Sequence, residues 1–252
     1  MVIPTDPLFY LIAVPAVLIM GISKSGFGGG FGALVVPMMA MAVSVPEAAA
    51  IMMPILLVMD MLGLKLLIRQ CNWNLVRLLV PAGLVGTLVG WALFGLLSAP
   101  MLSVILGVLT LLFLAQRLVV ERYPHIYRPL SRNWGRLLGV LGGLSSFIAH
   151  AGSPPLNAYV IPLRLKPVEF AATFAVFFGI INLSKWVPYA TLGLLDLRNL
   201  MTSLVLMPLA PLGVWIGVRI AKTIPEKRFY TLLYLGMFLT GLKLLSEIRV
   251  FL

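Results

Sequence analysis

Charged side chains are scarce in this sequence of 252 residues. They make up 11% of the chain, whereas hydrophobic residues make up 61% and the mean hydropathy is +1.05. A soluble domain carries about 25% charged residues, so this composition excludes a soluble globular protein. We therefore predict an all-α polytopic membrane protein, whose helices satisfy their own backbone polar groups within the bilayer.

Acidic residues and cysteines are also few. The chain has 8 acidic against 19 basic residues, a net charge of +11, and a single cysteine, Cys71, which excludes an internal disulfide. The basic residues flank apolar segments, as in the loops of inner-membrane proteins, so we expect a lipid bilayer as partner and no nucleic acid. We also expect no metal and no cofactor. The N-terminus lacks the basic region of a signal peptide, so the first apolar run should be retained.

The sequence contains one pattern twice, and each copy interrupts an apolar segment. The first interruption, Gly21–Gly32, is rich in glycine, and the second is Ser145–Pro155. Both lead into an apolar run that ends in a proline, Pro37 in the first half and Pro162 in the second. Matching interruptions in the two halves of a membrane protein indicate the binding site of a transporter.

Three stretches in each half are long enough to cross a bilayer, which takes about 20 apolar residues. The expected spans are Glu47–Leu67, Leu75–Leu97, Met101–Val119, Val168–Ala190, Leu200–Ile220 and Phe229–Leu245. Beside the interruptions we expect shorter arms, either re-entrant or tilted half-helices, at Pro7–Ile22, Phe31–Val43, Leu137–Ile148 and Leu156–Leu163. The expected organisation is one membrane domain with a first repeat at 1–120, a linker at 121–136 and a second repeat at 137–252.

Basic residues in alternate loops predict how the chain is oriented. Four loops hold 14 of the 19 Lys and Arg residues: Lys65, Arg69, Arg77, Arg117, Arg122, Arg128, Arg132, Arg136, Arg164, Lys166, Arg219, Lys222, Lys227 and Arg228. Cytoplasmic loops are enriched in these residues, so we place the four loops in the cytoplasm and both termini outside. The second repeat is then inverted relative to the first. The halves also share a proline and a Gly-x-x-x-Gly pair, which lets helices approach closely: Pro81, Gly86 and Gly90 match Pro208, Gly213 and Gly217.

The two interruptions carry groups that would bind an anion. Glycines leave backbone amides unshielded and permit positive φ. A helix beginning near Phe31, and another capped by Ser153 with prolines after it, would aim unpaired N–H groups at one anion site. The structural alternative is that the glycines serve close packing alone. The predicted substrate-binding residues are Lys24, Ser25, Gly26, Phe27, Gly28, Gly29, His150, Gly152, Ser153, Asn182 and Lys185.

Titratable residues within the apolar segments have two interpretations each. Lys24 either offers a charge to the anion or extends to the surface, and His150 either titrates or is a neutral ring bonded to a loop carbonyl. Asp60, whose repeat partner is Asn182, is predicted to pair with Lys185, because charges inside spans face a cavity or a partner. The alternative for Lys185 is extension to the outer face. Asp60 and His150 are the candidates for coupling to protons.

The glycine-rich interruption and the following Leu34-Val-Val-Pro37, with a weaker echo in the second half, resemble the sulfite exporter TauE/SafE family over nearly the whole chain. His150-Ala-Gly-Ser-Pro-Pro155, Phe177-Phe, Asn182, Lys185, Pro188-Tyr189 and Gly193 look like a subgroup of that family. The resemblance implies a secondary transporter or exporter of a small sulfur-containing anion, such as sulfite or sulfoacetate, in the bacterial inner membrane. Alternating access between the two halves would move the anion.

Two other classes of function stay open. An intramembrane serine hydrolase would use Ser23, Ser25, Ser145 or Ser146 activated by His150, although a duplicated chain suits one asymmetric nucleophile and base poorly. A passive anion channel would need a continuous polar lining, which these apolar spans do not offer. The glycine loop lacks the preceding strand and the Gly-Lys-Ser/Thr ending of a nucleotide-binding loop. Energy would therefore come from an ion gradient, with the proton as candidate, from substrate flux or from a partner.

Overall fold

The described part of the chain is helical. The computed structural model describes residues 6–29, 32–39, 41–94 and 130–246, with single positions between 101 and 118, and these contain no strand. The helices are α1 Pro7–Gly26, α2 Val35–Met39, α3 Val45–Leu67, α4 Trp73–Ala92, α5 Arg132–Ala149, α6 Ser153–Val160, α7 Pro167–Ser184, α8 Trp186–Thr191, α9 Leu197–Leu206, α10 Leu209–Thr223 and α11 Glu226–Ser246. Short 3-10 turns lie at Gly32–Leu34, Ile68–Gln70 and Ile161–Leu163.

Several of these helices are long and apolar enough to cross a membrane. In the described residues there are four, at Pro7–Gly26, Pro46–Gln70, Trp73–Ala92 and Pro167–Thr191, and a fifth if α9 and α10 are counted as one bent span. The predicted all-α polytopic membrane protein is confirmed. The predicted Phe229–Leu245 segment is the helix α11. Most of the predicted span Met101–Val119, and residues 121–129 of the predicted linker, lie outside the described residues.

Three predicted segments differ from the structure. The arm predicted at Pro7–Ile22 is a 20-residue helix that continues to Gly26, because no residue before Gly28 requires a positive φ. The arm predicted at Leu137–Ile148 is also longer, since α5 has 18 residues. The span predicted at Leu200–Ile220 is instead two helices that meet at 52°. Pro208 lies at that bend, and its missing N–H interrupts the helical hydrogen bonds.

Polar side chains cap the beginnings of three spanning helices, α1, α3 and α4, with Ser44 in this role at α3. Asp6 Oδ1 accepts a hydrogen bond of 2.9 Å from the backbone N–H of Leu8 at the start of α1. Asn72 Oδ1 accepts one of 3.2 Å from Leu75 at the start of α4. Each side chain satisfies an N–H that has no partner within its helix. These caps fix where α1 and α4 enter the apolar part of the molecule.

The predicted Gly-x-x-x-Gly pairs lie at the closest helix contacts. Helix α1 packs against α10, α5 packs against α4, and α3 packs against α7. A Cβ atom on Gly213 would lie 3.1 Å from the Cα atom of Gly21, and one on Gly86 would overlap the carbonyl of Val140. The first helix of each half thus packs against the glycine-pair helix of the other half. A two-fold relation between the halves would produce this exchange, and their inverted orientation stays a prediction.

Large apolar side chains lie on the outer surface as well as in the core. Leu11 is 73% exposed and Val187 is 67% exposed, and both belong to helical segments that are long and apolar enough to cross a membrane. Small and aliphatic residues of α1, α3 and α10 form a buried cluster between the helices. An exposed apolar surface of this extent is a liability in water and is suited to contact with lipid chains.

Replacing Gly143 with alanine tests the close approach of α4 and α5. The added Cβ would overlap the Gly83 carbonyl, so we expect the helices to separate and the melting temperature in detergent to fall. The matched control is Gly63→Ala, where a Cβ would lie 3.8 Å from its nearest neighbours. There we expect no loss, or a gain of about 0.5–1 kcal/mol from alanine's lower backbone entropy. Equal destabilisation by both substitutions would contradict the predicted role of the close contact.

Candidate functional site

The two interruptions meet at one small buried cavity. Its lining residues come from both halves of the chain: Met20, Lys24, Gly29, Gly32, Leu56, Ser146, His150, Ser153, Phe178 and Asn182. The volume open to the centre of a water molecule is about 20 Å³, which is room for about one water. The predicted proximity of the two interruptions is therefore present, although more than a hundred residues separate them in sequence.

Glycines allow the first interruption to reach the second. After α1 ends, the backbone turns through Gly28 and Gly29, with φ of +56° and +82°. The N–H groups of Phe27 and Gly29 both donate to the Ser23 carbonyl, at 2.8 and 2.9 Å, and so close the end of α1. A Cβ on Gly29 would overlap the Ser153 hydroxyl. Gly29 is thus required both for its conformation and for this contact.

Ser153 begins α6 instead of capping it, so the predicted N-cap is wrong. Gly152 occupies the cap position, and no side chain makes a capping hydrogen bond there. Pro154 and Pro155 follow Ser153 within the first turn of α6 and have no N–H groups. Ser153 is buried at the cavity wall and makes no hydrogen bond with a described residue.

Each interruption is followed by the beginning of a helical segment. In the first half this is the 3-10 turn Gly32–Leu34, which leads into the five-residue helix α2, and in the second half it is α6, whose first N–H positions include two prolines. Gly32 and Ser153 both line the cavity. Gly30 and Phe31 lie outside the described residues, and the predicted role of opposed helix N-termini in anion binding stays a prediction.

A buried ion pair joins α1 to α3. The Lys24 Nζ atom lies 2.7 Å from Asp60 Oδ1, and both side chains are buried. The predicted partner of Asp60 was Lys185, and that prediction is wrong. Because α1 continues as a helix to Gly26, Lys24 lies in its last turn and reaches Asp60 across the helix contact. The Lys24 Nζ atom also lies 5.6 Å from the centre of the Phe178 ring, within range of a cation–π contact.

Asn182 connects this ion pair to Lys185. Its Nδ2 donates to Asp60 Oδ2 at 2.8 Å, and its Oδ1 accepts from Lys185 Nζ at 2.8 Å. Asp60 and Asn182 are the residues that the sequence pairs as repeat equivalents. Two equivalent residues touch only when they lie beside the axis that relates them, so this hydrogen bond agrees with a two-fold relation between α3 and α7.

Lys185 is fully buried, so it does not extend to the outer face. Its Nζ donates to the carbonyl and the hydroxyl of Ser146, at 2.7 and 2.8 Å. Tyr189 donates to the Phe147 carbonyl at 2.6 Å. The last carbonyls of a helix have no partner within it, and these two side chains supply partners for the end of α5. Lys185 therefore stabilises the wall of the cavity without lining it.

His150 is held on both sides of its ring. Nε2 lies 2.9 Å from the Ala49 carbonyl, and Nδ1 lies 3.2 Å from Lys185 Nζ. A carbonyl only accepts, so Nε2 carries the hydrogen and Nδ1 is the acceptor that faces Lys185, whose three hydrogens are shared among four acceptors. This arrangement is the neutral-ring alternative, with the difference that the carbonyl belongs to the helix α3 and not to a loop. His150 also ends α5 with a φ of +52°.

The cavity includes five of the eleven predicted binding residues: Lys24, Gly29, His150, Ser153 and Asn182. The other six lie around it without lining it: Ser25, Gly26, Phe27, Gly28, Gly152 and Lys185. Phe27, for example, stacks on the ring of Phe229 at 5.6 Å. Met20 and Leu56 were not predicted, because an apolar residue in an apolar helix carries no signal that separates a cavity wall from a core, and Phe178 was noted only as part of the Phe177-Phe motif. Ser146 appeared only as a hydrolase candidate.

The serines of α5 are not arranged for activation by His150. Ser145 Oγ donates to the Leu141 carbonyl at 2.7 Å, and Ser146 Oγ accepts from Lys185. The hydrogen bonds of His150 go to Ala49 and Lys185. No described serine hydroxyl bonds to the imidazole, so the described geometry does not support the hydrolase alternative.

A family model described as the sulfite exporter TauE/SafE matches residues 13–244. The matched range includes both interruptions and every lining residue of the cavity. No curated protein and no solved structure matches the chain. The family resemblance expected from the sequence motifs is confirmed.

Replacing Gly29 with alanine tests the contact between the interruptions. We expect destabilisation from two sources, the positive φ, which costs about 1–3 kcal/mol for a residue other than glycine, and the overlap with Ser153. Gly193→Ala is the matched control, because Gly193 has a φ of +70° and a Cβ there meets nothing within 4 Å. The melting temperature should fall further for Gly29→Ala, and Ser153→Gly should restore part of the difference. Equal effects of the two alanines would show that the contact contributes nothing.

Proposed function

The chain belongs to the sulfite exporter TauE/SafE family of membrane transporters for sulfite or related anions, and on that basis we propose that it is a secondary transporter of a small sulfur-containing anion. Sulfite and sulfoacetate are the candidate substrates. The proposed carrier works by alternating access between its two halves in the bacterial inner membrane. It is not an enzyme in this proposal, and the cavity at the two interruptions is its binding site.

The position of Lys24 carries the proposal. It is the one lysine or arginine among the described lining residues, and it lines the same cavity as Ser153, whose hydroxyl makes no hydrogen bond with a described residue. A charged donor and neutral donors around one space are what an anion with several oxygens requires. Ser146 and Asn182 line the same cavity and position its polar groups.

The size of the cavity supports a cycle with more than one conformation. Room for about one water is too little for sulfite, which has four heavy atoms. Binding would therefore require the arms to move apart. Breaks in the helices at Gly28 and Gly29, at Lys185 and at the α9–α10 bend are the places where such a movement would occur. The described conformation would then be the closed one.

Asp60 provides a route for coupling to protons. Its carboxylate already neutralises Lys24 at 2.7 Å, so an arriving anion competes with it for the same ammonium. A proton on Asp60 removes that competition and leaves Lys24 to the substrate. We therefore assign coupling to Asp60 in preference to His150, whose ring nitrogens are engaged by Ala49 and Lys185.

Removing the charge at Lys24 tests the binding site. A hydrogen bond to a charged group contributes about 1.5–3 kcal/mol, so Lys24→Met should weaken sulfite binding roughly ten- to a hundredfold. Binding is measured on purified protein, and transport as uptake of labelled sulfite into proteoliposomes. The double variant Lys24→Met/Asp60→Asn avoids leaving a buried carboxylate unpaired and should fold but not bind. Unchanged binding in both variants would place the substrate charge elsewhere.

Asp60→Asn is the complementary variant in the same assay. It keeps Lys24 and an amide in place of the carboxylate, so we expect the protein to bind sulfite while its uptake no longer responds to a pH gradient. A variant that still couples uptake to the gradient would remove Asp60 from the proposed role. Lys185→Met is a less clean probe, because Lys185 also stabilises the end of α5.

The orientation of the chain is part of the proposal. We place both termini outside and the segment from Glu121 to Arg136, whose last residues are the first turn of α5, in the cytoplasm, on the basis of the basic residues in alternate loops. Reporter fusions after Arg128 and at Leu252 should lie in opposite compartments. The same compartment for both reporters would contradict the inverted repeat.

A passive channel is the weaker alternative. It would require a continuous polar path, whereas Met20, Leu56 and Phe178 form part of the wall of the small cavity. A space of this size with an apolar wall suits a site that opens to one side at a time.

A further inference from the structure

Two further cavities lie away from the cavity at the interruptions, at the beginnings of α4 and α5. The first has a volume of about 450 Å³ and a lining that is rich in arginine: Asn74, Leu75, Arg77, Leu78, Arg132, Arg136 and Tyr159. The second, of about 420 Å³, shares Arg77, Leu78 and Arg136 with the first, and its other residues are Pro81, Ala82, Val85 and Val140. The two are therefore neighbours, and neither shares a residue with the cavity at the interruptions.

The arginines of the first cavity have no acidic partner in the described part of the chain. The ion pairs seen there join Lys24 to Asp60 and Arg198 to Glu47. Arg136 donates to the neutral Asn133 Oδ1 at 3.2 Å. Three positive charges around one space favour an anion, and planar guanidinium groups bind phosphate oxygens in pairs.

The second cavity continues from these charges along an apolar helix surface. Val85 lies eight residues beyond Arg77 in α4, which is about 12 Å at 1.5 Å per residue, and it is 52% exposed. Helix α4 is one of the four helices with the length and hydropathy of a membrane span. Its apolar part would therefore lie at hydrocarbon depth, and its basic beginning would lie at the level of the lipid headgroups.

We propose that the two cavities together bind one anionic phospholipid. Its phosphate lies among Arg77, Arg132 and Arg136, and an acyl chain lies in the apolar groove at Val85 and Val140. Basic pockets between spanning helices are suited to anionic headgroups. A free phosphate, or the transported anion, would use the polar cavity and leave the apolar groove without a function. Only an amphipathic ligand matches both halves.

The bound lipid would connect α4 to α5. Arg77 belongs to α4 and Arg136 to α5, and these helices carry the close glycine contact between Gly83 and Gly143. A phosphate held by both arginines would favour the packed arrangement of the two helices. The site would thus stabilise the contact between the two halves beside the cavity at the interruptions, where α5 ends.

Native mass spectrometry of delipidated protein in a neutral detergent tests this proposal. We expect the wild type to retain one dioleoyl phosphatidylglycerol in preference to dioleoyl phosphatidylcholine. Each basic residue near an anionic surface contributes about fivefold in affinity, so Arg77→Gln/Arg136→Gln should weaken retention roughly tenfold or more. The matched control Arg69→Gln/Arg228→Gln removes the same charge from exposed arginines outside both cavities and should retain the lipid.

Two further arms separate the possible ligands. Glycerol 3-phosphate has the phosphate without the acyl chains, and we expect it to compete with phosphatidylglycerol only at far higher concentration. Val85→Trp fills the apolar groove and should weaken retention of phosphatidylglycerol without weakening the binding of glycerol 3-phosphate. Equal loss in the two arginine variants would show a general attraction to charge and overturn the site. Equal competition by glycerol 3-phosphate, or no effect of Val85→Trp, would overturn the lipid in favour of a soluble phosphate ester.

Discussion

The buried ion pair between Lys24 and Asp60 is the interaction on which the rest of the site depends. A charge inside an apolar interior is tolerated when a partner of opposite sign and further hydrogen bonds accompany it. Here the partner is 2.7 Å away, and Asn182 supplies the hydrogen bond to the second carboxylate oxygen. The pair fixes α1 against α3, and Asn182 extends the connection to α7. The helices of both halves are thus joined at the point where the cavity lies.

The same demand for polar partners explains the second half of the site. Helix α5 ends inside the protein, and its last carbonyls need donors that water cannot provide. Lys185 and Tyr189 provide them, and His150 closes the helix with a left-handed backbone and a hydrogen bond to α3. The break between α7 and α8 falls at Lys185. The break between α7 and α8 and the buried Lys185 therefore act together, because Lys185 at the break donates hydrogen bonds to the end of α5.

The sequence predicted the class of fold and the region of the site, and it failed at the partners of individual charges. The class of fold followed from the composition, and the spans near Glu47, Leu75 and Val168 followed from hydropathy. The glycine spacing predicted where helices touch. The Lys24–Asp60 pair was not predicted, because the interruption was taken to begin at Gly21. In the structure α1 continues as a helix through Lys24 to Gly26. Similarly, the repeat suggested a direct contact between Asp60 and Lys185, whereas Asn182 lies between them and bonds to both. Which of two lysines reaches a carboxylate depends on the rotation of helices about their axes, and hydropathy does not encode that rotation.

An ion-paired lysine also suits a carrier better than a free one. In the empty state Asp60 neutralises Lys24, while the second buried lysine, Lys185, is held by acceptors on Ser146, Asn182 and His150. In the loaded state of the proposed cycle, the anion neutralises Lys24 and a proton neutralises Asp60. In both states that must change conformation, Lys24 and Asp60 are then each compensated, whereas an unpaired buried charge is most costly in a low-dielectric interior. An anion bound without the proton would compete with Asp60 for Lys24, and that state would be the least favourable to reorient. Coupling would thus follow from the energetics of one buried pair, without a separate site for the proton.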